Sequence, residues 1–218
     1  MRENADTALY QYLDTTFASE TELLEQVRQK GDALVEGMQI SPHEGKMLYI
    51  LTRLVNAVRI LEIGTFVGYS TLWLAHAAGD KGHIDTLEAN NDNADIAQHH
   101  FSLSEHEDNI TIYRGKALTT LDALCSADIT PYDVIFIDAA KAEYARYLDK
   151  VTPYLRRGGL VIGDNTLLFG HMIDAPKKDV SQSAIASMKL FNAMLSNSEH
   201  YEGIMLPTAE GLTVGIKK

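Results

Sequence analysis

The stretch YDVIFIDAAKAEY, residues 132–144, decides the reading of the fold. Four apolar residues, Val134 to Ile137, run straight into Asp138, and Lys141 follows three positions later. A strand apolar on both faces belongs in the interior of a parallel sheet covered by helices. Its end is then a place where a carboxylate must be met by solvent, a partner or a ligand.

Working outward, the same texture recurs from residue 58 onward. VRILEIG, HIDTLEA, ITIYR and GLVIGDN read as further strands, and STLWLAHAA, NADIAQHHFSL, ALTTLDALC and EYARYLDKVTPYL as the helices between them. Strict alternation of this kind implies a doubly wound, Rossmann-like α/β fold with a mostly parallel sheet. After a helix near SAIASMKLFNAMLS come YEGIMLP and LTVGIKK, separated by TAEG. That spacing predicts an antiparallel hairpin that completes a seven-stranded sheet. Residues 1–57 read as helices. Leu23, Leu24, Val27 and Leu34 fall at helical spacing with Gly37 as the stop, and Ser41-Pro42 with Glu44 opens the next helix as a capping box. The expected organisation is a single domain over 1–218, with 1–57 as a helical cap and 58–218 as the core.

Composition narrows the function. The chain has 218 residues, 45% of them hydrophobic, and a net charge of −11. That charge repels phosphate backbones at long range and disfavours nucleic acid as a partner. No apolar run approaches the ~18 residues of a membrane span, and the polar N-terminus lacks the pattern of a signal peptide, so a cytoplasmic protein is expected. The lone Cys125 permits no internal disulfide and reads as a small buried hydrophobe at a helix end. His99 and His100 are adjacent on a helix, so their rings face apart, and the pair reads as solvated surface. Tyr144 and Tyr147 read as packing residues.

Ligands of such sheets bind beyond the carboxyl ends of the strands, where the strand order reverses. LEIGTFVGYS, residues 61–70, follows the first strand with glycines spaced G-x-x-x-G rather than G-x-G-x-x-G. Phe66 would crowd a pyrophosphate, which disfavours a nicotinamide dinucleotide and favours a ligand without phosphates, commonly S-adenosylmethionine. Glu88 ends the second strand, where an acid accepts hydrogen bonds from both ribose hydroxyls. Asp138 and the Asp164-Asn165 pair end the fourth and fifth strands. Two carboxylates and an amide oxygen suit Mg2+ or another hard divalent cation such as Mn2+ or Ca2+. No cysteine cluster or His-x-x-x-His competes for zinc.

MQISPHEGKML, LEIGTFVGYSTLWLA, DVIFIDAAKAEYARYL and GGLVIGDNTLLFG, taken in order, resemble the cation-dependent O-methyltransferases, the class of catechol and caffeoyl-CoA O-methyltransferases and their bacterial relatives. The resemblance runs from about residue 38 to the C-terminus. It implies that Met38 and Ile40 flank the methionine end of S-adenosylmethionine, and that Glu62, Gly64, Thr65 and Ser70 form the first cofactor loop. It further implies that Glu88 takes the ribose and that Gly115-Lys116-Ala117 lies by the adenine, with Ala117 the contact. Asp138 would touch both cofactor and metal, Asp164 and Asn165 would complete the metal site, and Lys141 would be the catalytic base beside Asp138. A homodimer is implied as well.

Departures from the family pattern bear on cofactor and substrate. Ala140 stands where plant acyl-CoA enzymes carry a second acid that contacts the cofactor, and Leu168-Phe169 where they carry Trp-Asn, whose Asn contacts the substrate, which disfavours a CoA thioester. Lys116 stands where an acid or a small residue is commoner. The expected activity is methyl transfer to a hydroxyl of a small catechol-like phenol. A tRNA hydroxyuridine O-methyltransferase of the same fold is the alternative, and a non-catalytic nucleotide-binding module is disfavoured by the presence of Asp138, Lys141, Asp164 and Asn165 together.

Overall fold

A computed structural model describes residues 7–125, 129–196 and 199–218. The chain opens with three helices, α1 (Thr7–Phe17), α2 (Glu22–Leu34) and α3 (Pro42–Leu54). The Thr21 hydroxyl accepts the Leu24 N–H to start α2. The predicted capping box starts α3: Ser41 N–H and Oγ both donate to Glu44 Oε2, at 2.8 and 2.6 Å. Gly37 is not the stop itself. α2 ends at Leu34, and Gly37 sits in the following turn with φ +68°.

Strands and helices then alternate as β1 (Arg59–Ile63), α4 (Tyr69–Ala78), β2 (His83–Glu88), α5 (Asn91–Ser102), β3 (Ile110–Arg114), α6 (Ala117–Leu124), β4 (Tyr132–Ile137), α7 (Tyr144–Val151) and β5 (Leu155–Gly163). A last helix, α8 (Gln182–Leu195), precedes β6 (Tyr201–Leu206) and β7 (Leu212–Lys217). Two boundaries differ from the sequence pattern. Lys141–Glu143 forms a separate 3-10 turn ahead of α7, and Thr152–Tyr154 forms another after it. Leu155 already belongs to β5, which therefore begins before the apolar run that marks it in the sequence.

The sheet order is β3-β2-β1-β4-β5-β7-β6, with β1 to β5 parallel and β7 antiparallel to both β5 and β6. Chain direction of growth reverses between β1 and β4, which sit side by side. Alternate strand residues feed two cores. Ile60, Ile84, Val134, Phe136 and Ile162 pack with α3, α4 and α5, whereas Leu61, Ile63, Ile135, Ile137 and Val161 pack with α6, α7 and α8. All six residues of β4 are buried. At ~25 cal/mol per Å2 of apolar area, each of its apolar side chains Val134 to Ile137 contributes on the order of 2 kcal/mol before entropy is set against it. Among the described residues no helix is long and apolar enough to cross a membrane. Cys125 is free and buried at the end of α6, as expected.

Candidate active site

The parallel ladder continues one residue past each strand and so aligns the loops. Gly64 N–H donates to Leu87 O (3.0 Å), Asp138 N–H to Ile63 O (2.9 Å), Asp164 N–H to Ile137 O (3.0 Å) and Gly115 N–H to Glu88 O (2.8 Å). The residues expected at a site are thereby set along one edge, around the β1/β4 switch point. A cavity of about 1200 Å3 opens above it.

The first wall of the cavity is the β1–α4 loop. Gly64 has φ +107°, and a Cβ there would lie 2.0 Å from the Asp138 carbonyl oxygen, so only glycine lets this loop close on the end of β4. Gly68, left-handed at φ +90°, caps α4. Gly64, Thr65, Phe66 and Ser70 line the cavity, and Met38 and Ile40 face it from the α2–α3 turn. Thr65 Oγ1 is bonded to Thr86 Oγ1 at 2.6 Å. Glu88 is buried, with Oε2 accepting the Phe66 N–H and Oε1 the Asn90 N–H, both at 2.8 Å. A single N–H on each oxygen leaves the carboxylate further acceptor capacity, and Glu88 lines the cavity. Lys116, Ala117 and Asn93 form the neighbouring wall.

Glu62 is placed differently from the sequence expectation. It is fully buried beneath the loop and does not line the cavity. Ser70 Oγ donates to its Oε1 (2.6 Å), and Thr71 and Thr86 hydroxyls donate to its Oε2 (2.5 and 2.6 Å). Burial outweighs these three donors and pushes its carboxyl up to about 7. Ser70, which lines the cavity, is oriented by this carboxylate.

At the other end, Asp138, Lys141 and Asn165 line the cavity with Ala139 and Ala140. Lys141 Nζ lies 2.7 Å from Asp138 Oδ1 and 2.7 Å from the Tyr144 hydroxyl oxygen. That hydroxyl lies 3.0 Å from Ile137 O and 2.9 Å from Asp164 O. Burial, reinforced by the Asp138 and Asp164 carboxylates, raises the Tyr144 phenol well above its ordinary range and keeps it protonated. Tyr144 is thus more than a packing residue. Its signal in the sequence was the Lys-x-x-Tyr spacing, which puts the two side chains on one face of a turn. Tyr147, by contrast, is buried against Tyr144, with ring centroids 6.4 Å apart.

Asp164 is fully buried just behind the cavity wall, with Oδ1 accepting the Asn165 N–H at 2.7 Å. Asn165 takes a left-handed φ of +55°, which Asn tolerates better than most residues. Leu168 and Phe169 are also left-handed, at +48° and +53°. This holds Phe169 on the cavity wall, with Lys178 Nζ 3.3 Å from its ring centroid. Among the described residues no three His, Cys, Asp or Glu side chains form a metal-ligand set. Two carboxylates and an amide oxygen are hard donors too few to enclose an ion, and they fit an octahedral cation that keeps water or ligand oxygens, not zinc. Asp138 Oδ1 accepts from Lys141 Nζ beside the same cavity.

One surface expectation is corrected. His99 is exposed, but His100 is buried, and its Nδ1 lies 2.8 Å from the Val67 carbonyl. A carbonyl only accepts, so Nδ1 carries the proton, and burial lowers the imidazole's pKa. His100 therefore buttresses the β1–α4 loop from behind.

The profile of the O-methyltransferase family matches residues 14–218. A catechol O-methyltransferase of Niastella koreensis is 32% identical over 196 residues, covering 90% of this chain and 85% of that protein. A caffeoyl-CoA O-methyltransferase of Nicotiana tabacum is 32% identical, with 95% and 90% covered. Among solved structures, an O-methyltransferase from Bacillus cereus in complex with SAH superposes with a TM-score of 0.87 at 31% identity, covering 97% of this chain and 98% of that one. The O-methyltransferase TomG from Streptomyces achromogenes, in complex with SAM, gives 0.86 at 28% identity, with 97% and 96% covered. With the fold, the switch-point cavity and these likenesses in agreement, the chain belongs to the O-methyltransferase family, of the type that includes the catechol and caffeoyl-CoA enzymes.

Proposed function

We propose that this protein transfers the methyl group of S-adenosylmethionine to a hydroxyl of a small catechol-like phenol, with a divalent cation such as Mg2+ at Asp138, Asp164 and Asn165. The observation that carries the reading is the Asp138–Lys141 pair at 2.7 Å on the floor of a cavity whose far wall presents Glu88. Glu88 binds both ribose hydroxyls through the lone pairs that the Phe66 and Asn90 amides leave open. The glycine-lined loop admits the backbone of the methionine moiety, with Ser70 oriented by Glu62. Asp138, Asp164 and Asn165 would hold the divalent ion, whose charge would lower the pKa of a phenol bound there from ~10.

Lys141 accepts the phenolic proton as the oxygen attacks the methyl carbon. The new O–CH3 bond forms as the S–CH3 bond breaks, and the sulfonium leaves as a neutral thioether. Asp138 holds the lysine through this exchange. Cofactor and acceptor held in line remove much of the entropic barrier. Phe169 lines the cavity near Asn165.

Calorimetric titration with S-adenosylmethionine and then with catechol, each with Mg2+ and with chelator, tests the reading. The expected result is cofactor binding in both conditions and catechol binding with Mg2+ alone. Cofactor binding with no catechol binding discards the small-catechol acceptor, and no cofactor binding overturns the whole reading.

A further inference from the structure

The contacts around Lys141 are more constrained than a base needs merely to sit nearby. We propose that Tyr144 is a positioning residue that fixes the place and orientation of the Lys141 amine at the cavity. The inference rests on Lys141 being the base. Tyr144 is fully buried, its ring packed edge-on against Phe191 with centroids 5.2 Å apart. Its hydroxyl has one proton, and two carbonyl oxygens compete for it, Ile137 O at 3.0 Å and Asp164 O at 2.9 Å. Neither carbonyl donates, so the proton is committed to them and only a lone pair of the phenol oxygen faces Lys141. The lysine must therefore be the donor in the 2.7 Å contact. Nζ lies 4.8 Å from the ring centroid, at the oxygen edge of the ring and not over its face, as a lone-pair contact requires.

The same logic holds at Asp138, whose Oδ1 accepts from Nζ at 2.7 Å. The amine nitrogen is tetrahedral, and one direction is its bond to Cε. Tyr144 and Asp138 take an N–H donor each, which fixes the rotation of the amine about the Cε–Nζ bond, and Lys141 lines the cavity in which the acceptor hydroxyl would sit. Without the Tyr144 oxygen, the amine is held by Asp138 alone and turns about that bond. The carbonyls that Tyr144 bonds are those of Ile137, beside Asp138, and of Asp164, so the phenol also ties the tips of β4 and β5 at the level of the site.

The test is a double-mutant cycle on the full chain with S-adenosylmethionine, Mg2+ and catechol. Tyr144→Phe is expected to lower kcat about 10- to 100-fold, while the KM for catechol and the calorimetric affinity for S-adenosylhomocysteine move less than about 3-fold. In a Lys141→Ala background, Tyr144→Phe is expected to change kcat by less than about 2-fold, because its effect passes through the missing amine. Multiplying falls in the double variant would mean that Tyr144 acts as structure alone and would overturn the proposal. If Lys141→Ala by itself leaves kcat unchanged, the base assignment fails and the proposal with it. A crystal structure of Tyr144→Phe supplies a readout free of turnover. Lys141 spread over several rotamers supports the inference, and Nζ held in its original place refutes it.

Discussion

The two edges of the sheet carry similar residues in opposite states. At the amino edge, Asp85 accepts from Tyr132 Oη (2.8 Å) and Arg59 Nη2 (3.2 Å) on one oxygen and pairs with His83 Nε2 (3.1 Å) on the other. Asp133 beside it accepts the Val58 and Arg59 N–H groups (both 2.8 Å) and Arg156 Nε (2.5 Å). Each of these carboxylates has three protein partners spread over both oxygens. At the carboxyl edge, Lys141 takes one oxygen of Asp138, and Glu88 has a single backbone donor on each oxygen. Charge and burial alone do not separate a site from a structural network here. Unfilled hydrogen-bonding capacity facing a cavity does.

The sharpest way to break this contrast is at Asp164. Asp164→Asn keeps the shape and the acceptor for the Asn165 N–H but removes a charge. Methyl transfer to catechol is expected to fall about 10^3-fold, or ~4 kcal/mol of transition-state stabilisation, with thermal stability nearly unchanged. Initial rates and Mg2+ titration of the same preparation check it. A variant that keeps its rate would mean that this edge, like the other, is structural.

Glu62 lies between the two cases, a carboxylate with three hydroxyl donors directly under the site. Its ordinary value is 4.5, and in the fold it is pushed up to about 7. Below the lower value the group is protonated whether folded or not. Between the two, the folded protein retains a proton that the unfolded chain has released, so stability declines as pH rises through that window and levels off above it. The loss is on the order of 3 kcal/mol. Urea unfolding at about pH 5 and pH 8 should show this decline in the wild type and a flatter profile in Glu62→Gln. An unchanged slope would place the pH dependence elsewhere.

The fold was largely legible because the sequence writes it in periods. β4 reads as a continuous apolar run because both of its faces are covered, and the capping box at Ser41 and Glu44 marks a helix start within the chain of letters. The site's location followed from strand ends. What stayed illegible was depth and partnership. Glu62 sits in the loop motif yet faces inward, because Ser70 and Thr71 of α4 and Thr86 of β2 converge on it. His100 looks like half of a surface pair, but the Val67 carbonyl draws it inside. The role of Tyr144 depends on two carbonyls from β4 and β5 that no local pattern encodes.

The smallest expected effect sharpens the comparison from the other side. Asp133→Ala strips the acceptor from two backbone N–H groups that start β1 and leaves Arg156 bonded only to the Val55 and Arg157 carbonyls. Burial would raise the Asp133 carboxyl, yet Arg156 and those N–H groups hold it below its usual range, so its ionised form belongs to the folded state. Losing it should destabilise by about 2 kcal/mol, roughly 4–8 °C in Tm for a chain of this size. Because β1 and β4 remain paired beyond that point, through Ile60↔Val134 to Ile63↔Ile137, the carboxyl edge should keep its geometry. The rate per folded molecule should then match wild type. A Tm drop accompanied by an equal loss of rate would show that the two edges are coupled through the central strands, and that the amino-edge network sets the register on which Asp138 and Lys141 depend.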